Sequence, residues 1–292
     1  MEFFIQLLVN GISLGFLYAL SALGFVMIFK SSSVLNFAHG ELIAIGAFFF
    51  LVLSSWAGLP IWLCFALTLI GSFLLGFIIE RLFLRPLIGE ALIQVIMLTV
   101  GLAAMFKGLL LFIFGGDIYD YPKFLPKDLS INWGVIQVPS VYVSAFIIGV
   151  LFLIVFGLFF KYSSQGIYMR SVADNQPAAL SLGVHVRRVF AMSWAIAALV
   201  AAISGIILGI MTGVNVHELS AIGLKVFPVV ILGGLDSIGG AIIGGLIIGL
   251  LETFTGGYIS TSLKEIIPYI VLVFILMVKP YGLFGLAEIE RV

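Results

Sequence analysis

The chain has 292 residues, of which 62% are hydrophobic and only 10% are charged, whereas soluble domains contain roughly 45–50% and 25%. This composition predicts a membrane protein and excludes an ordinary soluble domain. Fourteen basic and fourteen acidic residues leave no net charge, so neither nucleic-acid binding nor a polybasic lipid-binding tail is indicated. The single cysteine, Cys64, excludes an internal disulfide and a cysteine-based zinc site.

Apolar segments long enough to cross a bilayer recur along the whole chain. A hydrocarbon core about 30 Å thick needs about 20 apolar residues of helix. The first candidate follows Met1-Glu2-Phe3 without a basic region or a cleavage site, so we expect it to be retained as a span. Eight segments qualify: 4–29, 40–56, 60–80, 92–114, 141–161, 189–212, 238–254 and 265–279.

A ninth apolar stretch, 221–235, is short and contains Lys225 and Pro228. These two residues favour a half-length or re-entrant segment that is buried against its neighbours. The predicted fold is therefore all-α, a polytopic transmembrane helical bundle of eight spans plus this segment. It forms a single membrane domain over residues 1–292.

Glycines at four-residue spacing predict close helix packing in the bilayer, where small residues let backbones approach. Two interpretations remain open from the sequence: plain packing within the chain, or a moving seam along a transport pathway. The glycines concerned are Gly205, Gly209 and Gly213, Gly240 with Gly244, and Gly245 with Gly249.

Basic residues in short loops predict the orientation, because such loops normally remain in the cytoplasm. The long connection at 115–140 has mixed charges and no basic excess, so we expect it to lie outside. The N-terminus is then outside, and Arg291 is inside if the short segment crosses the membrane. The basic residues that set this orientation are Arg81, Arg85, Lys161, Arg170, Arg187 and Arg188.

The most polar run is RSVADNQPAALSLGVHVRR, residues 170–188, within a predicted cytoplasmic loop at 162–188. Asn175 is a predicted helix N-cap, Asp174 favours the positive helix end, and Pro177 suits the first turn. Gly183 is a suitable left-handed stop. So short a helix is unstable alone and must rest on the spans, with Leu180 or Leu182 free to fill a groove on a partner. A capped loop helix without a partner remains the alternative.

Ionisable residues inside apolar segments are the candidates for function, because an unpaired charge in hydrocarbon is costly. Lys107 lies deep in the 92–114 segment, and functional and snorkelling roles are equally open. Glu80 and Glu252 lie near predicted span ends, so a chain of intramembrane carboxylates is not expected. His39 and Glu41 form one sequence pair of interest, although a helix-start cap with Asn36 explains them as well.

Backbone outside regular helix can offer polar groups to a substrate within the membrane. We expect broken helix geometry near Asn36–Gly40 and near Pro228–Gly234. The candidate pathway residues are Asn36, Phe37, Ala38, His39, Gly40, Glu41, Pro228, Gly233 and Gly234. The three histidines lack metal-helix spacing, so no metal site is expected.

Three segments together resemble the permease subunits of ATP-binding cassette importers for branched-chain amino acids, of the LivH type. They are NGISLGFLYALSALGFVMIFKSSSVLNFAHGE at 10–41, ADNQPAALSLGVHVRRV at 173–189 and GLKVFPVVILGGLDSIGGAIIGGLIIGLLE at 223–252. The resemblance covers essentially the whole chain. It implies a transport subunit, not an enzyme, in the bacterial inner membrane. It also implies a second related permease, two ATPase subunits and an external amino-acid-binding protein as partners.

The resemblance gives the 173–188 region a role in coupling to the ATPases. The residues assigned to it are Asp174, Asn175, Pro177, Ala178, Ala179, Leu182 and Gly183. No G-x-x-x-x-G-K-[ST] motif occurs, so we expect no cofactor on this chain and ATP to be used by the partner subunit. Three alternatives stay open: a urea or short-amide permease, an ion-coupled carrier or channel acting alone, and a structural membrane partner.

Overall fold

The computed structural model describes residues 2–122, 130–133 and 136–285, and most of these residues are helical. One π-helical turn, Val52–Trp56, extends α2, and a second, Glu80–Leu84, extends α3. The strands β1 (Ser130–Trp133) and β2 (Ile136–Pro139) pair antiparallel. The helices are α1 (Glu2–Ser32), α2 (His39–Leu51), α3 (Ile61–Ile79), α4 (Leu92–Phe114), α5 (Ser140–Tyr162), α6 (Ser164–Asp174), α7 (Gln176–Ser181), α8 (Val186–Thr212), α9 (Val216–Gly233), α10 (Ile238–Tyr258) and α11 (Thr261–Val278).

Eight helices within the described residues are long and apolar enough to cross a membrane, and the α5–α6 pair, bent by 70°, makes nine if it is counted as one span. This confirms the predicted polytopic helical bundle. The prediction of a half-length segment at 221–235 is wrong, because α9 is one helix of 18 residues that begins at Val216. The Asn215 side chain starts it by accepting the N–H groups of His217 and Glu218 at 2.8 and 3.2 Å.

The centre of the bundle is formed by α1 and α8, which are mostly buried, whereas α3, α4 and α11 expose much of their apolar surface. Leu17 and Leu20 of α1 and Ile203 of α8 are fully buried. A polar contact also joins these two helices, between the hydroxyls of Ser21 and Ser204. The peripheral helices therefore offer apolar faces to lipid or to other membrane subunits.

Several predicted glycine contacts are sites of close helix packing. A Cβ atom placed on Gly245 of α10 would lie 2.6 Å from the Ala19 nitrogen of α1, and one on Gly15 would lie 2.8 Å from the Leu246 Cα. Gly205 of α8 is pressed in the same way against the Ile43 carbonyl of α2. Gly213 instead ends α8 with a φ of +85°. Close packing within the chain is thus observed at Gly205 and Gly245, and a moving seam along a transport pathway stays a prediction.

The loops identify which helix ends lie together. Tyr119 and Val214 exchange backbone hydrogen bonds of 3.0 and 2.7 Å, so the start of α9 lies beside the 115–122 segment. At the other end of α9, the Lys30 ammonium donates to the Asp236 carbonyl at 3.0 Å. Since α9 connects these two ends, it crosses the bundle. The start of α1 and the end of α11 therefore lie at opposite ends of the bundle. This is the arrangement predicted for the case in which the 221–235 segment crosses the membrane.

Candidate functional site

The short polar helix forms as the sequence predicts. Asn175 Oδ1 accepts the N–H of Ala178 at 2.9 Å, and Pro177 occupies the first turn of α7. Gly183 ends the helix with a φ of +83°. The N–H groups of Gly183 and Val184 donate to the carbonyls of Leu180 and Ala179, each at 3.0 Å. Local capping signals therefore fix both ends of α7.

The two faces of α7 differ sharply in exposure. Ala179 is only 2% exposed and packs against the bundle, whereas Leu182 is 83% exposed and Leu180 is 54% exposed. Among the residues assigned to coupling, Ala179 is thus the one through which α7 packs on the bundle. The others are exposed: Asp174, Asn175, Pro177, Ala178, Leu182 and Gly183. Two large apolar side chains therefore stand on the surface of an otherwise polar loop.

A second helix in this loop, α6, was missed by sequence reasoning. Ser163 Oγ accepts the Gly166 N–H at 2.9 Å and caps it, which is the signal that could have revealed it. Buried Met169 and Val172 face the bundle. A cleft of about 210 Å³ beside α7 is lined by residues of α6, the α7–α8 turn and α8, with Leu182 on its edge. The polar loop is therefore a folded surface, with two helices and a cleft beside them.

The candidate residues at 36–41 lie in and just after the α1–α2 loop. Residues 33–38 are non-helical, as predicted, and Asn36 Oδ1 accepts the Ala38 N–H at 3.0 Å. Asn36 is fully buried, and its Nδ2 has no hydrogen-bond partner within the described part of the chain. The prediction that Asn36 caps the start of α2 is wrong, because the N-cap residue of α2 is Ala38. His39 does not pair with Glu41, since its Nε2 lies 2.8 Å from the Ser21 carbonyl oxygen.

Helix α2 crosses α9 at a glycine pair. A Cβ on Gly40 would lie 2.9 Å from the Gly223 Cα, and one on Gly223 would lie 2.5 Å from the Gly40 nitrogen. Next to this crossing the Phe37 ring stacks on the Phe227 ring at 4.8 Å between centroids. The non-helical α1–α2 loop is thereby held against the middle of α9.

The prediction of broken helix at Pro228–Gly234 is wrong for all but its last residue. Helix α9 continues through Pro228 to Gly233, and only Gly234 leaves it, with a φ of +109°. Membrane helices tolerate proline because neighbouring helices compensate for the lost hydrogen bond. Gly233 packs on Gly240 of α10. A pathway role for Pro228, Gly233 and Gly234 stays a prediction.

An ionic cluster around the buried Glu252 side chain joins α9, α10 and α11, and the sequence did not reveal it. Lys225 Nζ lies 3.0 Å from Glu252 Oε1 and 2.8 Å from Glu265 Oε2. The Tyr18 hydroxyl of α1 donates to Glu252 Oε2 at 2.7 Å, and the Lys264 ammonium lies 3.9 Å from Glu252 Oε1. Glu252 is only 1% exposed and lies six residues before the end of α10, near the predicted span end. The cluster borders a cavity of about 460 Å³.

Lys107 faces a different cavity, which we call the α2–α4–α9 cleft. It has a volume of about 260 Å³ and is lined by Phe37, Glu41, Val100, Ala103, Lys107, Ser220, Ala221 and Leu224. The Glu41 residue is 7% exposed. The structure thus brings Glu41 and Lys107, which lie 66 positions apart in the sequence, to one cleft.

Comparison with known proteins assigns the chain to a family. The family described as branched-chain amino acid transport system / permease component matches residues 7–276. This chain belongs to that permease family. No solved structure matches the chain. Within the described residues, no group of three or more histidine, cysteine, aspartate or glutamate side chains could hold a metal ion.

Members of this permease family resemble the chain over nearly its full length. The high-affinity branched-chain amino acid transport system permease protein LivH of Salmonella typhimurium is 31% identical over 99% of this chain and 98% of its own length. The corresponding BraD protein of Pseudomonas aeruginosa is also 31% identical, with the same coverage. A probable LivH of Methanocaldococcus jannaschii is 26% identical over 92% of this chain and 89% of its own. The chain is therefore a polytopic membrane transport subunit.

Proposed function

We propose that this permease moves branched-chain amino acids across the bacterial cytoplasmic membrane, driven by ATP hydrolysis in two separate ATPase subunits. The names of its relatives support the substrate class. The exposed side chains of Leu180 in α7 and of Leu182 at its C-cap support the coupling, and this is the observation on which the proposal chiefly rests. The chain itself carries no phosphate-binding motif, so ATP is bound by the partners.

The orientation of the bundle supports an ATPase site at α7. Arg81, Arg85, Arg187 and Arg188 lie in or beside short loops, which favours a cytoplasmic location for that end. A six-residue helix is too short to be stable alone, and Ala179 fixes it to the bundle. Leu180 and Leu182 then project into the cytoplasm, where a groove on the ATPase can bury them. Movement of the ATPase is thereby transmitted to α6 and α8.

The remaining partners are proposed for the other faces of the bundle. A second, related permease packs against exposed apolar helices within the membrane. An external binding protein docks on the opposite end from α7, where the β1–β2 hairpin and the Tyr119–Val214 bridge lie. Helix packing within the bilayer depends on close-fitting surfaces, which the exposed apolar helices can offer to the second permease.

The coupling surface is tested by Leu182→Asp, with Leu182→Met as the matched control. Leu182 is mostly exposed, so the aspartate leaves the fold intact while placing a charge where an apolar groove must close. We expect the tagged aspartate variant to lose its ATPases on purification and to lose radiolabelled leucine uptake, and the methionine variant to retain both. Retention of the ATPases by Leu182→Asp would place coupling elsewhere. Parallel uptake of labelled urea distinguishes an amide permease from an amino acid permease.

A further inference from the structure

The α2–α4–α9 cleft contains two opposite charges that do not pair with each other. Glu41 lies in the first turn of α2 and Lys107 on the facing helix α4. Within the described residues, neither side chain forms a salt bridge shorter than 4.0 Å. In contrast, the charges of Lys225 and Glu252 are satisfied by direct contact. Glu41 interacts with the Lys107 charge only beyond salt-bridge distance and with the Ser220 side chain, so this cleft has more charge to offer a ligand than the directly paired ionic cluster.

Both charges lie at membrane depth. Lys107 precedes the end of α4 by seven residues, which places it about 10 Å from that end. Gly40, next to Glu41, crosses α9 at Gly223, also seven residues and about 10 Å from the start of α9. Unpaired charges at such a depth are costly unless they face a watered cavity or a charged ligand. Non-helical backbone at membrane depth, such as residues 33–38, is likewise tolerated only where it is buried in protein or lines a watered cavity.

The shape of the cleft suits a small molecule with an apolar side chain. Phe37, Val100, Ala103 and Leu224 provide apolar walls. Val100 is 43% exposed and Leu224 is 55% exposed, so the cleft opens towards the outside of the bundle. An opening lined by two charges fits the face shared with a second permease better than a face bathed in lipid.

We propose that the α2–α4–α9 cleft is a transient binding site for a zwitterionic amino acid on its way through the membrane. The Lys107 ammonium binds the substrate carboxylate, the Glu41 carboxylate binds the substrate ammonium, and the apolar walls hold the side chain. This inference rests on the proposed function. It explains why the two charges are held in one cleft without a salt bridge between them.

The site is tested by thiol protection in the complete transporter. Ala103→Cys places a thiol on the cleft wall, and natural Cys64 is fully buried, so within this chain N-ethylmaleimide labels chiefly the new thiol, and labelling is measured on the separated permease subunit. We expect leucine to slow this labelling and urea to leave it unchanged. Ala104→Cys, on the neighbouring exposed position of α4, is the control that leucine should not protect.

The charges are tested by combining Ala103→Cys with Glu41→Gln or Lys107→Gln. Loss of one charged contact should raise the half-protecting leucine concentration by on the order of 10- to 100-fold. Lys264→Gln removes a charge from the separate ionic cluster and should leave protection unchanged. Suppose that the unaltered transporter imports leucine. The cleft is then not the site if leucine fails to protect the thiol introduced by Ala103→Cys, or if neither charge variant changes the protection. If the unaltered transporter does not import leucine, the proposed function itself fails.

Discussion

Lys225 of α9 lies 3.0 Å from Glu252 of α10, and the Glu252 side chain is 1% exposed. The Tyr18 hydroxyl donates a further hydrogen bond of 2.7 Å to the same carboxylate. Helix α9 can thus accommodate Lys225 in apolar surroundings because the carboxylate that pairs with this lysine lies on the next helix, α10. The pair ties together three helices, since Glu265 of α11 also contacts Lys225 at 2.8 Å.

Removal of the lysine should destabilise the bundle. Lys225→Met leaves Glu252 buried without its nearest cation, which costs about 3 kcal/mol when one partner of a buried pair is lost. We expect a lower melting temperature for the purified transporter in detergent. Lys225→Arg keeps the charge and should lose less. The double variant Lys225→Met with Glu252→Gln should recover part of the loss, and a double variant no better than the single would contradict this view of the pair.

The α2–α9 crossing predicts a strong position dependence for glycine substitutions. Gly223→Ala places a methyl group against the Gly40 backbone and should cost about 1–3 kcal/mol through overpacking. Gly108→Ala in α4 is the matched control, because a Cβ there meets no atom within 4 Å. Thermal denaturation of the two variants measures the difference in their stability. Equal stability would show that α2 and α9 can move apart at this crossing without loss.

The cap of α7 should matter for coupling more than for assembly of the bundle. Asn175→Ala removes the side chain that accepts the Ala178 N–H, at a cost of about 1 kcal/mol. Asn175→Ser preserves an N-cap acceptor and should behave like the unaltered chain. We expect the alanine variant to retain membrane insertion but to lose part of its leucine-stimulated ATP hydrolysis. Unchanged stimulation would mean that the α7 geometry does not transmit the signal.

Tyr121 should contribute to stability in a pH-dependent way. Its buried hydroxyl donates to the Ala47 carbonyl at 3.0 Å, and burial raises the pKa of the Tyr121 hydroxyl well above its ordinary value of about 10. The folded state therefore keeps the proton, while the unfolded chain loses it above about pH 10. Stability from Tyr121 is present below that pH and declines above it. In Tyr121→Phe the alkaline decline in melting temperature should be smaller, and an unchanged decline would show that other groups cause it.

Features with local sequence signals were predicted well. The ends of α7 follow from Asn175 and Gly183, whose capping roles need only neighbouring backbone groups. Most membrane helices follow from apolar length alone. The true start of α9 depends on the Asn215 cap, a signal outside the apolar stretch, and Lys225 favours a shorter segment when its partner is unknown.

Features that depend on distant partners were not available from one sequence. Lys225 and Glu252 are 27 residues apart, and their pairing requires that α9 and α10 pack side by side. The same holds for Glu41 and Lys107, whose shared cleft depends on the crossing of α2 and α9. Helical periodicity gives no register between separate helices, so these sites emerge only from the fold.

We propose that this permease imports amino acids only when ATPases act on α7. The most direct measurement is radiolabelled leucine uptake into proteoliposomes that contain the complete transporter, with and without ATP, beside liposomes that contain the purified chain alone. We predict leucine uptake by the complete transporter with ATP and external binding protein, and none by the chain alone. Leucine uptake by the chain alone, driven by an ion gradient and independent of ATP, would show that the permease is an ion-coupled carrier.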